Sequence, residues 1–404
     1  MNYVYSTLKR EKEFCFLWLG YTLTVFGEWF AVIAVNLYVW NAYESMILSS
    51  ISLAINMIPT VFLGPLLGGL ADRCSKKKLA VFLSLLNCMV LLIPVFFKTI
   101  YAVCIFNFLV GVVSCIRYPW INTYLPSVVK EEDLLNANSL ISFSKTSGQL
   151  IMPLLSGLLL AEVSSSALYL LNMVFLILAV AAFSRLSGGR PISRQERQKK
   201  VQLFEASAWK SICSDKRAMT VSLTIMCLLF LDGATDLLLI VETQRIPEKA
   251  DVYYGAVTTI KGLGMALASV GAYKWLASTK KNYIHLLCFL SYFKILLICL
   301  MGQVTAVPMF ALIVFSEAYL WISITIIEKF VMQSVFPAAD RAKIFALYGS
   351  MCWLAGSAGT LFFGFLSEKV GIPMAIAVEA ALVSVMLIVV HRYGRLWKFP
   401  RKYI

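Results

Sequence analysis

The sequence predicts an all-α membrane protein with about twelve transmembrane helices, arranged as two six-helix bundles that repeat one another in parallel. Of its 404 residues, 60% are hydrophobic and only 14% are charged, whereas a soluble domain carries about a quarter charged residues. Apolar runs of about 20 residues, the length that crosses the hydrocarbon core of a bilayer, recur along the whole chain. The two halves also align with each other at a constant offset of 207 residues.

Twelve apolar windows follow one another along the chain. The windows cover residues 14–40, 47–71, 79–97, 101–125, 136–161, 167–186, 218–241, 252–277, 283–301, 305–330, 342–366 and 372–391. The first window is too long for a signal-peptide core and no small-residue cleavage site follows it, so we expect a retained first span.

The charges of the loops predict the orientation of the chain. The formal net charge is +14, and most basic residues fall in alternate loops and in the two terminal segments. By the positive-inside rule, both termini are expected on the cytoplasmic side of the cell membrane, which requires an even number of spans. Membrane orientation therefore explains the positive charge, and we expect the lipid bilayer rather than nucleic acid as its partner.

The stretch 187–217 divides the spans six and six. We therefore expect a bundle over 1–186, a basic cytoplasmic linker over 187–217, and a second bundle over 218–404. Apolar residues at helical spacing near the end of this linker indicate a short helix on the inner leaflet. An ordinary solvated linker is the alternative.

The internal repeat keeps one register across several elements. Ser127 aligns with Ser334, Asp133 with Asp340, and Gly157 with Gly364. Both copies have the same orientation, as two sets of six spans require. Parallel repeats with a substrate site near the bilayer midplane are one plan on which transporters are built.

The segment 64–78, GPLLGGLADRCSKKK, carries the most specific motif. It resembles the loop between helices 2 and 3 of the major facilitator superfamily, with Ser75 where that family usually has glycine. The matching residues are Gly68, Asp72, Arg73, Lys76 and Lys77. The dipole at the end of the second span disfavours Asp72, so this carboxylate needs another partner. The resemblance implies a cytoplasmic gate in which Asp72 docks on the helix that begins near Asp340 and Arg341.

A second resemblance is to the macrolide-efflux-like branch of drug exporters. It depends on Arg117 in the fourth span, on residues 126–139 and on the Pro153 stretch of the fifth span. Exporters often carry Gly-x-x-x-Gly-Pro there, and this chain has Met152 in place of the second glycine.

Charged residues inside the predicted spans are the candidates for a substrate and proton cavity. Such residues are costly in lipid, so most should face a cavity or a partner. The candidates are Glu28, Arg117, Asp232, Asp236 and Glu317. The family resemblance places their four helices around the central cavity. Structural ion pairs are the alternative for each residue.

Two further charges occur on spans that the resemblance makes peripheral. Lys294 and Glu379 each lie about 11–12 residues from the cytoplasmic end of their spans, or roughly 17 Å deep at 1.5 Å per residue. Since either charge alone is costly at that depth, we expect a structural salt bridge between them. Snorkelling of Lys294 to the interface is the alternative.

These observations predict a secondary active transporter, namely a proton- or ion-coupled antiporter. We expect efflux of an amphipathic or cationic small molecule, such as a drug or secondary metabolite, with a role in antibiotic resistance. An importer, or a siderophore or lipid translocator on the same fold, is the alternative. A membrane enzyme is not expected, because the sequence has no Walker A, His-Glu-x-x-His or Gly-x-Ser-x-Gly motif. The ten cysteines form no Cys-x-x-Cys pair, so we expect no metal or cofactor, and we expect a monomer.

Overall fold

The computed structural model describes residues 12–63, 74–130, 133–187, 206–244, 250–278, 283–304, 306–336 and 338–395. The regular structure within these ranges is entirely helical. The helices are α1 (Lys12–Tyr43), α2 (Met46–Phe62), α3 (Lys76–Phe96), α4 (Ile100–Val128), α5 (Leu134–Leu160), α6 (Ser165–Phe183), α7 (Ala206–Ser214), α8 (Lys216–Gln244), α9 (Ala250–Ser278), α10 (Tyr283–Met301), α11 (Val307–Val335), α12 (Ala338–Val370) and α13 (Ile372–Arg395).

All the helices except α7 correspond to the twelve apolar windows of the sequence. Eight of the described helices are long and apolar enough to cross a membrane, and two shorter apolar helices accompany them. Large apolar side chains are exposed along them, among them Phe96 on α3, Ile177 on α6 and Val389 on α13. Exposed apolar surface of this extent requires lipid as its solvent. The prediction of an all-α membrane fold is confirmed.

The helices group into two compact units. Unit one contains residues 1–42, 55–203 and 249–259, and unit two contains residues 43–54, 204–248 and 260–404. These units do not test the sequence-based division into residues 1–186, 187–217 and 218–404, and that division stays a prediction.

Aromatic side chains form the centre of the core of unit one. The rings of Trp120 on α4 and Phe183 on α6 meet edge to face, with centroids 5.5 Å apart. Tyr124 lies one helical turn from Trp120 and donates a hydrogen bond of 2.6 Å to Glu13 at the start of α1. Glu13 also accepts hydrogen bonds from Ser187, just beyond α6. These contacts hold the ends of three helices together.

The internal repeat is visible in two glycines that allow helices to approach closely. A Cβ added to Gly157 on α5 would collide with the backbone oxygen of Asp251 on α9. A Cβ added to Gly364 on α12 would collide with the side chain of Ser50 on α2. These glycines align at the offset of 207 residues, so each copy uses a small residue at the same contact.

The end of the linker forms a helix, as one of the two sequence interpretations expected. Helix α7 belongs to unit two and buries Ile212, whereas residues 188–205 lie outside the described residues. Asp215 follows α7 and accepts hydrogen bonds from the backbone N–H groups of Arg217 and Ala218, at 2.8 and 3.2 Å, which caps α8. Partial burial favours a higher pKa for Asp215, but these bonds and the Arg217 side chain outweigh it and hold the pKa below its ordinary value.

Candidate functional site

Unit two contains a buried charge cluster built on α8, α10 and α11. Lys294 on α10 has no exposed surface, and its Nζ lies 2.7 Å from Asp232 Oδ1 on α8. The same ammonium donates to Glu317 on α11, whose side chain is 3% exposed. The Trp321 ring covers the ammonium, with its centroid 4.9 Å from Nζ. Two of the acids expected from the sequence are thus brought together by a lysine.

The cluster contains more acids than bases. Lys294 supplies one positive charge for two carboxylates, so the trio would be net negative if both acids were ionised. Burying an uncompensated charge is costly, and a group in that situation tends to take up a proton instead. A bound proton or a bound cation would bring the net charge of these three side chains to zero.

A second ion pair of unit two is more exposed. Lys261 Nζ on α9 lies 2.7 Å from Asp236 Oδ1 on α8. The side chain of Asp236 is 50% exposed, compared with 23% for Asp232 one helical turn away. Water competes with such a pair, so it contributes little to stability.

The predicted salt bridge between Lys294 and Glu379 is wrong. Lys294 binds Asp232 and Glu317 instead, and neither carboxylate oxygen of Glu379 has a hydrogen-bond partner among the described residues. The physical reason is the direction in which α10 presents Lys294. Two carboxylates on α8 and α11 offer the ammonium more compensation than the single acid on α13.

Unit one holds a smaller charge cluster. Arg117 on α4 forms an ion pair with Glu28 on α1 and donates a second hydrogen bond of 3.3 Å to Ser114. Lys145 on α5 is close enough to interact electrostatically with both charged partners. Two cations therefore accompany one acid in this cluster, whereas one cation accompanies two acids in the cluster of Lys294, Asp232 and Glu317.

A narrow cavity lies beside Arg117 within unit one. Its polar lining includes Tyr21, Thr24, Ser84 and Asn87 from α1 and α3. Adding the repeat offset of 207 residues to position 87 gives position 294. The lysine of the unit-two cluster therefore occupies the position at which unit one has a neutral amide.

The predicted gating residues are only partly described. Gly68, Asp72 and Arg73 lie outside the described residues. Lys76 is buried at the start of α3, and its backbone oxygen accepts a hydrogen bond of 2.9 Å from Trp120 Nε1, while Lys77 is partly exposed. Asp340 and Arg341 fall in the first turn of α12, and their side chains are outside the described part. The gate therefore stays a prediction.

Some of the buried or partly buried charges among the described residues were not singled out from the sequence. Lys145 lies on α5, and the acids Glu242 and Glu328 are buried near the ends of α8 and α11. Lys145 and Glu328 fall inside predicted apolar windows, so a systematic search for ionisable residues in those windows would have found them.

Comparison with known proteins identifies the family of this chain. The family model of the Major Facilitator Superfamily matches residues 17–333. The chain belongs to the major facilitator superfamily. It is therefore a multi-pass membrane protein of a transporter family, and members of this family bind small molecules, often together with coupled ions. No curated protein matches the sequence.

Solved structures confirm the major facilitator fold. A point mutant of the nucleoside transporter NupG has a TM-score of 0.77 at 15% identity, covering 94% of this chain and 99% of its own. A bacterial homologue of the human lysosomal transporter Spinster gives 0.74 at 11% identity, with 97% and 99% coverage. A bacterial homologue of the iron transporter ferroportin gives 0.72 at 15% identity, with 95% and 98% coverage. At these identities the similarity shows the fold alone.

Proposed function

We propose that this chain is a proton-coupled antiporter that exports an amphipathic cationic small molecule from the cytoplasm across the cell membrane. In this proposal the chain acts as a monomer with both termini in the cytoplasm. The observation that carries the proposal is the trio of Lys294, Asp232 and Glu317, in which one buried ammonium serves two carboxylates. A proton and a cationic substrate can each neutralise the surplus carboxylate, so they compete for one site.

The direction of transport follows from the motifs rather than from the charges. Arg117 and the stretches around Pro126 and Pro153 resemble the macrolide-efflux-like exporters, which favours export of drug-like compounds. Met152 favours the alternative, which is an importer or a siderophore or lipid translocator. It is buried on α5 and replaces a glycine that exporters often have at this position.

Inside-out membrane vesicles with an acidic lumen test both coupling and direction. Vesicles that contain the protein should accumulate ethidium or another member of a panel of cationic dyes, and a protonophore should abolish the accumulation. Because Asp232 and Glu28 are the proposed coupling acids, Asp232→Asn and Glu28→Gln should remove gradient-driven accumulation at normal expression. Glu162→Gln, in the exposed turn after α5, is the matched control and should leave it intact.

Two results would contradict the proposal. Accumulation that survives the protonophore would exclude proton coupling. Uptake of the panel only by right-side-out vesicles would reverse the direction and favour the importer.

A further inference from the structure

The cavity beside Arg117 is narrow, has a polar lining and lies within unit one. Tyr21 and Thr24 reach it from α1, and each is at most 4% exposed. Ser84 and Asn87 reach it from α3 and are equally buried. Each pair is spaced by three residues, which places both side chains on one face of their helix. The cavity is too narrow for a drug-sized molecule, but a buried space with several polar partners suits an ordered water.

Arg117 connects this cavity with Glu28. The guanidinium of Arg117 lines the cavity and at the same time forms the ion pair with Glu28. It also donates a hydrogen bond of 3.3 Å to Ser114. Because a guanidinium has five N–H donors, it can bind these partners and a cavity water together.

The depth of Arg117 makes its partners important. The residue lies 11 positions before Val128, the end of α4, or roughly 17 Å from that end at 1.5 Å per residue. This is near the middle of a hydrocarbon core of about 30 Å. An arginine keeps its proton, so a neutral Glu28 would leave a buried positive charge without its carboxylate, which is costly. Water and the polar oxygens of the cavity can solvate that charge instead.

The internal repeat indicates that packing alone does not require this polar lining. Adding the offset of 207 residues to Thr24 gives Leu231, and adding it to Arg117 gives Ile324. Both apolar residues are 0% exposed in unit two. Where the repeat has no arginine, it thus also has an apolar side chain in place of the threonine. The polar lining occurs in the copy that contains the arginine.

Two cations act on Glu28. Arg117 forms the ion pair with it, and Lys145 on α5 interacts with it electrostatically. A proton on Glu28 would remove the negative charge that both cations attract. The other titratable or charged groups on α1, α3, α4, α5, α6 and the part of α9 in unit one include Lys12, Glu13, Cys15, Tyr21, Tyr38, Tyr43, Lys76, Lys77, Lys78, Cys88, Tyr101, Cys104, Cys115, Tyr124, Tyr169, Asp251, Tyr253 and Tyr254.

We propose that this cavity is a water site that receives the guanidinium of Arg117 when Glu28 takes up a proton. The proton forms an O–H bond with an electron pair of one carboxylate oxygen, and the charge of unit one rises by one. Arg117 then turns its N–H donors from Glu28 to the cavity water and to the oxygens of Ser84 and Asn87. Loss of the proton returns the electron pair to the carboxylate and restores the ion pair. The inference rests on the proposed function only in taking Glu28 as an acid that exchanges protons.

A double-mutant cycle on the purified protein tests this site without a substrate. Glu28→Gln imitates the neutral acid, and Asn87→Leu fills the cavity with an apolar side chain. The melting temperature in detergent of the double variant should fall by roughly 4 °C or more beyond the sum of the two single changes, because the released guanidinium has lost its second site. Asn138→Leu is the matched control, since it makes the same exchange at an exposed position of α5. Its effect should simply add to that of Glu28→Gln.

A second cavity variant covers the case in which Asn87→Leu does not fold. Thr24→Val keeps the shape of the side chain and removes its hydroxyl, so it should show coupling of the same sign with Glu28→Gln. Additive effects in both cycles would overturn the proposal.

Hydroxyl-radical footprinting by X-ray radiolysis tests for the water itself. Radicals formed from a bound water oxidise the side chains beside it even when these are buried. Tyr21 and Trp120 line the cavity and are 4% and 1% exposed. They should be oxidised faster than Tyr169, which is 2% exposed and does not line the cavity. Asn87→Leu should lower their rates to that of Tyr169, and wild-type rates no higher than that of Tyr169 would exclude the water site.

The inference and the proposed function fail separately. If the cycle and the footprinting behave as expected but no cationic dye is exchanged for protons, the water site stands and the proposed function falls. If dye transport is proton-coupled but the cycles are additive, the inference falls and the proposed function stands.

Discussion

Replacing Lys294 by methionine is the most informative test of the charge cluster. The change keeps most of the side-chain volume but removes the only ammonium bound by Asp232 and Glu317 among the described residues. Because Lys294 is fully buried, removing one partner of the ion pair should cost about 3–5 kcal/mol. In a domain of about 200 residues, each kcal/mol lost lowers the melting temperature by about 2 °C, so the melting temperature in detergent should fall by roughly 6–10 °C. The loss should be smaller at acid pH, because a neutral carboxyl is cheaper to bury.

Lys261→Met provides the matched control for this prediction. It removes the same type of side chain from an ion pair of the same unit, but Asp236 is 50% exposed there. An exposed pair contributes only about 0–1 kcal/mol, so the melting temperature should fall by roughly 2 °C or less. Adding Glu317→Gln to Lys294→Met should restore much of the lost stability, because it removes one uncompensated buried charge. The reasoning is refuted if the two lysine variants are equally stable, or if Glu317→Gln brings no recovery.

Three further predictions concern other parts of the chain. Asp72→Asn should weaken the cytoplasmic gate and raise the reactivity of cysteines introduced on the cytoplasmic side of the cavity, and unchanged reactivity would count against the gate. Gly364→Leu should prevent the close approach to Ser50 and lower the melting temperature, whereas Gly349→Ala, where an added Cβ meets no atom within 4 Å, should not. Asp215→Ala should destabilise unit two by about 1 kcal/mol at neutral pH, because it removes the cap of α8. Because the pKa of Asp215 is lowered on folding, its contribution is present above its unfolded pKa and should be lost as the pH falls through its folded pKa. A loss of equal size at all pH values would contradict this assignment.

The helices could be predicted from the sequence because the bilayer sets their length. Each of the twelve apolar windows overlaps one of the described helices, and the ninth window, 283–301, coincides with α10. The repeat could also be predicted, because both copies keep their glycines in one register. Gly157 and Gly364 were aligned from the sequence, and the structure shows the same type of close contact at both positions.

The partners of the buried charges could not be predicted in the same way. Depth along a helix follows from counting residues, but the direction of a side chain turns by about 100° with each residue. The sequence therefore placed Lys294 and Glu379 at one depth without showing that α10 presents its lysine to α8 and α11. Pairing Arg117 with Glu28 likewise required the rotation of both helices.

Proton-coupled transport by the buried acids is tested most directly in proteoliposomes that contain only this protein. An imposed pH gradient should drive accumulation of the dye that inside-out vesicles take up, and a protonophore should abolish it. Asp232→Asn proteoliposomes should equilibrate the dye without concentrating it, because the proton and the cation no longer compete for the trio. Equal, gradient-driven accumulation by the wild type and Asp232→Asn would contradict the account.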